Sequence, residues 1–432
     1  MRVLVLGSGI SGRAAVDLAH RMGDAVTVVD PEGHYEGSTE VAVSSTLTPG
    51  LLENCDVVVA SPGIPEDDPM IRSVVDRGIP LWSEIEYAYR HLEEPVVAIT
   101  GTNGKTTVTQ ATALMLQKAG VDVVAVGNVG DPLSGAVGSD TEVAVAEVSS
   151  FQLANIDKFH PVSSAVLNVA PDHLDWHRDM TSYENAKARI FENQTSDEIC
   201  VYDADDPGAA RLVKRAPART IAVSGRRRPD DGWGVEEDVL RVGPVTVALS
   251  DVVLSDPPSL SNLAISAVLA LDVGANATAV EEVMRSFRPD THRRTLVAEI
   301  DGVRWVNDSK ATNPHAALAA IAAETSVILI AGGLAKGLDN VSLAYAAGVR
   351  YVIGLGTSGP DLVDAAQEGT MATDIADAVR IANTIAEPGD TVLLAPGGAS
   401  FDQFDSYAHR GDRFTEEVGL IRRQRQEMGE SK

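Results

Sequence analysis

The chain has 432 residues, 44% hydrophobic and 22% charged, which describes a globular protein with room for two or three cores. A formal net charge of −27 excludes a nucleic-acid binder, because phosphate backbones need stripes of Lys and Arg. No apolar run reaches membrane-spanning length and the N-terminus enters a strand directly, so neither a membrane partner nor a signal peptide is expected.

The first element is "RVLVLG", an apolar strand that leads into Gly7, Gly9 and Gly12 of a G-x-G-x-x-G and then a helical run from Arg13 to Met22. A second strand, "AVTVVD", ends on Asp30, where an acidic residue would meet a ribose hydroxyl. Glycines let the backbone approach a diphosphate, and a helix N-terminus offers N–H groups and a positive dipole end. The pattern specifies a diphosphate cradle without naming its owner, and a nicotinamide dinucleotide is the default. A third strand, "CDVVVASPG", follows. Cys55 and the distant Cys200 each lie beside an apolar run and read as packed thiols of a reducing cytosol, ahead of the alternative of a single disulfide.

A fresh strand–loop–helix begins at "EEPVVAITGTNGKTT", so a domain boundary is expected near Leu92. Residues 99–107, "ITGTNGKTT", carry the strongest local signal. Backbone amides of Gly101, Thr102, Asn103 and Gly104, the Lys105 ammonium and the hydroxyls of Thr106 and Thr107 are the parts that hold a nucleoside triphosphate and Mg²⁺. The loop departs from G-x-x-x-x-G-K-[ST], with Ile99 in the place of the first glycine. Strands "DVVAVGN", "TEVAVAEVS", "SSAVLNV" and "SDEICVY" follow, then a β-rich stretch over 219–254 and helices at 261–272 and 277–287. Glu147 ends an apolar strand as a Walker-B acid does, a hard oxygen ligand for Mg²⁺. His173 and His177 stand four apart, but no third ligand of zinc-site type accompanies them. Within "YENAKARI", Lys187 would by default be a solvated helix lysine. Beyond "FRPDTHRRT" the strands "RWVNDSK", "TSVILIAGG", "RYVIGLG" and "DTVLLAPGG" build a further α/β unit, and the basic C-terminus reads as a fraying helix. Strand–helix alternation throughout calls for parallel α/β sheets.

"TGTNGKTT", "VGNVG" at 126–130, "AEVSSFQL" at 146–153, "NVAPDHLDWH" at 168–177 and "SYENAKARIF" at 182–191 together resemble the Mur ligases, ATP-dependent amide-forming enzymes of peptidoglycan precursor synthesis. "NDSKATN" at 307–313, with "HRR" at 292–294, "AGGLAKG" at 331–337 and "GGASFDQFDSYAHRGDRF" at 397–414, is similar to the branch that adds D-glutamate. The sequence departs from the family's common residues at Asp290, Thr291, Gly398 and Tyr407. The resemblance implies an α/β fold in three domains: Rossmann-like over 1–91, P-loop ATPase-like over 92–289 and Rossmann-like over 290–432. It implies that the opening turn holds a uridine diphosphate carrier, with Ile10, Ser11 and Gly12 by the diphosphate, Asp30 by the uracil or ribose, and Ser61, Gly63 and Asn128 along the substrate. Asn262, Arg293, Asp308 and Lys310 would contact ATP; Thr312, Lys336, Ser400, Phe401 and Tyr407 would line the D-glutamate site. Two Mg²⁺ would be held by Thr106, Glu147, His173 (with Asp172 beside it) and Lys187, the last carbamylated by CO₂ into an anion. His177 has no matched role and stays a packed residue.

The reaction expected is transfer of the γ-phosphoryl group of ATP to the carboxylate of UDP-N-acetylmuramoyl-L-alanine, then attack by the amine of D-glutamate on the acyl phosphate. Lys105 and the metals would offset the phosphate charge. Closure of the C-terminal domain about hinges near residues 91 and 290 is expected, in a cytoplasmic monomer whose only partners are small molecules. A folylpolyglutamate-type ligase would share the phosphate loop but not "NDSKATN" behind a uridine-diphosphate domain. An NAD-dependent dehydrogenase would leave "GTNGKTT" idle.

Overall fold

Alternating apolar runs resolve into three sheets in chain order. The computed structural model describes residues 1–33, 35–37, 41–128, 130–289 and 291–430, the side chains of 426–430 excepted. The departure noted at Asp290, the Val129 of "VGNVG" and the last two residues of the fraying helix lie outside the described residues. The first sheet is five-stranded and parallel, in the spatial order Ala42–Ser44, Ala25–Val29, Arg2–Leu6, Val57–Ala60, Leu81–Trp82. The sequence shows three of these strands; the outer two have three and two residues, too few for an apolar pattern to stand out.

The second sheet has nine strands. At its centre Val96–Thr100 lies between Ser163–Val166 and Val143–Glu147, all parallel, and a hairpin-linked antiparallel end is formed by Gly232–Glu236, Val239–Val242 and Val245–Ala248. The third sheet has six strands, five parallel and one, Thr295–Ile300, antiparallel at its edge.

Each sheet is covered on both faces, as parallel sheets require. Side chains alternate across a strand, so Val3 and Val5 join one buried cluster while Leu4 and Leu6 join another. In the second sheet Val96 and Ala98 face one cluster, Val97 and Ile99 the other. In the third, Ile328 and Ile330 lie opposite Val327, Leu329 and Ala331.

The chain divides into two compact units, residues 1–169 with 176–288, and 170–175 with 289–432. The first two sheets share the first unit and one continuous apolar cluster. Helix Glu84–Tyr89 fastens them with two buried acids. Glu84 accepts from the Ser134 N–H at 2.6 Å and from its hydroxyl, and burial raises its carboxyl above the usual range. Glu86 accepts from the N–H groups of Asp157, Lys158 and Phe159 at 2.8–3.0 Å and pairs with Arg90. Arg21 donates to the carbonyls of Ser134 and Val137.

Candidate active site

The opening turn forms as its glycines dictate. Gly7 adopts φ +85°, and a Cβ on Gly12 would lie 2.0 Å from the Gly7 carbonyl oxygen, so strand and helix Ile10–Met22 meet only because that position lacks a side chain. The Ser61 hydroxyl donates to the Gly7 carbonyl at 3.2 Å, which brings the "ASPG" segment beside the turn. Ile10 projects 67% exposed at the helix start, an apolar surface beside N–H donors. Gly63 is exposed nearby in sequence, with nothing within 4 Å of where its Cβ would be. Asp30 accepts from the N–H groups of Ser8 at 2.8 Å and Glu32 at 3.0 Å, so its carboxylate shapes the turn itself.

In the first unit the second phosphate loop leaves the central strand Val96–Thr100 and enters helix Lys105–Lys118 through Gly104, φ +87°. The Lys105 ammonium curls back onto the carbonyls of Gly101 at 2.9 Å and Thr102 at 3.1 Å, inside the loop. Asn168 braces the loop in both directions: its Oδ1 accepts from the Asn103 N–H and its Nδ2 donates to the Asn103 carbonyl. Asn262 sits so close that a Cβ on Gly104 would lie 2.9 Å from its Oδ1.

Glu147 ends the adjacent strand in register with Ile99 and is 2% exposed. Its Oε1 accepts from Asn128 Nδ2 at 2.9 Å, while Oε2 is buried without a hydrogen-bond partner. A buried carboxylate oxygen in that state is expensive unless a cation takes it, which fits Mg²⁺; Thr106, at the start of helix Lys105–Lys118, is also buried. Asn128, expected along the carrier, thus has its amide on Glu147.

Lys187 is 1% exposed, unlike the default helix lysine. Its Nζ donates to the Gly101 carbonyl at 2.9 Å and lies 4.6 Å from the centre of the Tyr183 ring, whose hydroxyl is 3.0 Å from Thr102 Oγ1. Thr102, Lys105, Glu147 and Lys187 therefore stand about one loop. His177 is 0% exposed, with Nε2 2.9 Å from Ser150 Oγ.

In the second unit Asp172 is buried and gathers three partners. The His173 N–H donates to its Oδ1 at 2.9 Å, Asn313 Nδ2 to its Oδ2 at 3.0 Å, and Lys336 Nζ stands 3.9 Å away. His173 and Lys336 both hold positive φ, +54° and +52°, a strained backbone for side-chain-bearing residues that marks constrained positions. The "NDSKATN" loop continues from strand Val303–Asn307. Asp308 accepts from the Arg294 N–H at 3.2 Å, Lys310 Nζ lies 5.2 Å from the centre of the Tyr407 ring, and the Thr312 N–H donates to the Lys310 carbonyl. Arg293 is half-buried beside the buried His292. Ser400 is buried, whereas Phe401 is 70% exposed.

Arg410 was not singled out by sequence. It is 1% exposed and donates to the Ser309 hydroxyl, the Ser309 carbonyl and the Gly398 carbonyl, so one guanidinium ties "NDSKATN" to "APGGAS". Burial pushes it down to about 10, with Asp402 acting the other way. Asn307 similarly holds the Gly411 carbonyl, Thr415 Oγ1 and His292 Nδ1.

Three family models match the chain: the Mur ligase MurD-like N-terminal domain over 1–83, the Mur ligase middle domain over 99–236 and the Mur ligase glutamate ligase domain over 292–398. A relative from Exiguobacterium sibiricum is 38% identical over 437 residues, 97% of each chain, and one from Frankia casuarinae is 39% identical over 441 residues, 96% of this chain and 93% of the other. Both are named UDP-N-acetylmuramoylalanine--D-glutamate ligase. The chain belongs to the Mur ligase family. This Mur ligase also shares its fold with the MurF ligase of Thermotoga maritima solved in complex with ADP, at TM-score 0.60 and 19% identity over 98% of this chain and 95% of that one. The alternation of strands and helices thus belongs to a Mur ligase α/β architecture.

Proposed function

We propose that this Mur ligase joins D-glutamate to UDP-N-acetylmuramoyl-L-alanine at the expense of ATP, as a step of peptidoglycan precursor synthesis. The observation that carries this reading is the buried Glu147 oxygen without a partner at the strand beside a complete triphosphate loop, in a chain whose full-length relatives are named for that reaction. Residues 1–91 take the carrier through Ile10, Ser11, Gly12, Asp30, Ser61 and Gly63, with Asn128 from the central domain; residues 92–289 take ATP; residues 290–432 take the amino acid.

Gly101 to Thr107 wrap the triphosphate, and Lys105 exchanges its loop carbonyls for phosphate oxygens when ATP binds. Asn262, Arg293, Asp308 and Lys310 orient the nucleotide. Thr106, Glu147, His173 and carbamylated Lys187 would hold two Mg²⁺, which would neutralise phosphate charge. The carrier carboxylate takes the γ-phosphoryl group, releasing ADP. The D-glutamate amine then adds to the acyl carbon, and phosphate leaves with its bridging oxygen as the amide forms and the amine loses a proton. Lys336, Thr312, Ser400, Phe401 and Tyr407 recognise D-glutamate, with the Lys336 cation suited to a carboxylate. No helix among the described residues is long and apolar enough to cross a membrane. A cytoplasmic monomer is part of the same proposal.

Phosphate release from ATP, measured with the carrier and single amino acids, tests this reading. Release should require carrier, Mg²⁺ and D-glutamate together; release indifferent to D-glutamate, or reduction of NAD with a hydroxy acid, refutes it. Lys187→Ala should lower turnover by about 10²-fold or more and be partly rescued by short carboxylates.

A further inference from the structure

His177 is a fully buried titratable side chain that the reaction as written does not use. Its ring touches three segments. Nε2 lies 2.9 Å from Ser150 Oγ, at the start of helix Ser150–Ala154, three residues beyond Glu147. Nδ1 lies 3.9 Å from Glu66 Oε1, in the segment that follows strand Val57–Ala60, and burial raises that carboxyl. The ring stacks on Phe151 at 5.6 Å and 16°, and meets Trp176 and Tyr183 edgewise at 4.6 Å and 5.3 Å.

Tyr183 is the consequential neighbour. It is 1% exposed, its hydroxyl reaches Thr102 Oγ1, and its face carries the Lys187 ammonium, which itself bonds Gly101. A Tyr ring has two torsions, and edge contacts fix the second of them. We infer that His177 is a positioning residue for the nucleotide loop: anchored on Ser150, its ring sets the plane of Tyr183, and Tyr183 holds Thr102 and Lys187 in place. The inference rests on the reading of residues 101–107 as that loop. His177 does not touch the reacting atoms; it acts through Tyr183.

The test compares His177→Ala, His177→Phe, Tyr183→Phe and the double variant His177→Ala/Tyr183→Phe in the full chain, by ADP binding and by the KM values of the three substrates. His177→Ala should raise the ADP Kd and the ATP KM by about tenfold with the D-glutamate KM within about twofold, because the effect is confined to one loop. His177→Phe keeps an aromatic edge against Tyr183 and should stay within about threefold of the unaltered chain. The double variant should be within about twofold of the weaker single variant, since both changes act through one contact. If the alanine variant does not fold, His177→Leu fills the space without an aromatic edge and carries the same expectations. Multiplying effects, a phenylalanine variant as impaired as the alanine one, equal rises in all three KM values, or unchanged nucleotide constants would each overturn the inference. Lys105→Ala run alongside separates the two readings: if it retains ATP turnover, the nucleotide-loop reading fails, whereas if it loses turnover and His177→Ala is unaltered, only the role of His177 fails.

Discussion

Glu147 and Arg410 show how single side chains carry the site. Glu147 keeps one oxygen bonded to Asn128 and one buried without a partner, so its charge is held ready for a cation. Glu147→Gln retains the shape and removes the charge; turnover should fall by about 10²-fold or more and the Mg²⁺ concentration for half-activity should rise, read from a magnesium titration. Arg410 is a guanidinium buried among carbonyls. Arg410→Ala leaves the Ser309 and Gly398 carbonyls without their donor and should lower stability by about 3 kcal/mol in urea unfolding, raising the D-glutamate KM as the two loops loosen. The candidate phosphate loop was legible as a motif because its glycines, Lys105 and Thr106 lie within a few residues of one another. Arg410 and Asn168 could not, because their partners lie 101 and 65 residues away and only the fold makes them neighbours.

Helices and strands set where those side chains stand. Helix Glu84–Tyr89 joins the first two sheets by giving the buried Glu86 to three successive N–H groups. Glu86→Ala would strand those donors and leave Arg90 with Asp157 alone of its two acids, and unfolding should become easier by about 3–5 kcal/mol in a denaturant titration. Strand Ile199–Asp203 ends on a carboxyl that burial, more than its neighbours Asp205 and Asp206, pushes up to about 7. A carboxyl raised in the fold contributes stability that is full below the unfolded carboxylate range and is lost as pH rises through about 7. Asp203→Asn should therefore be more stable than the unaltered chain at pH 8, by on the order of 1–3 kcal/mol, with the advantage shrinking toward pH 4.5. Buried central strands such as Val96–Thr100 and Val327–Gly332 were legible as continuous apolar runs. The short edge strands Ala42–Ser44 and Gly369–Met371 were not, since three residues carry no period and the sheet alone defines them.

Over the whole molecule, the two glycine turns proposed as phosphate cradles stand on separate sheets of one unit, and the residues proposed for the amino acid belong to the other. Two cradles in one chain are what set a ligase apart from a dehydrogenase, and the first cradle alone would have suggested the wrong chemistry. The net charge of −27 makes self-repulsion a property of the entire surface. The thermal midpoint should rise on going from low salt to about 1 M NaCl, where the screening length falls to about 3 Å. The central claim is that both cradles serve one event, in which the carrier carboxyl is phosphorylated before the amide forms. Carrier labelled with ¹⁸O in its L-alanyl carboxylate tests it directly. The released phosphate should contain one ¹⁸O atom per amide formed, by mass spectrometry; unlabelled phosphate, with the oxygen lost from the carboxylate found in water instead, would contradict the account.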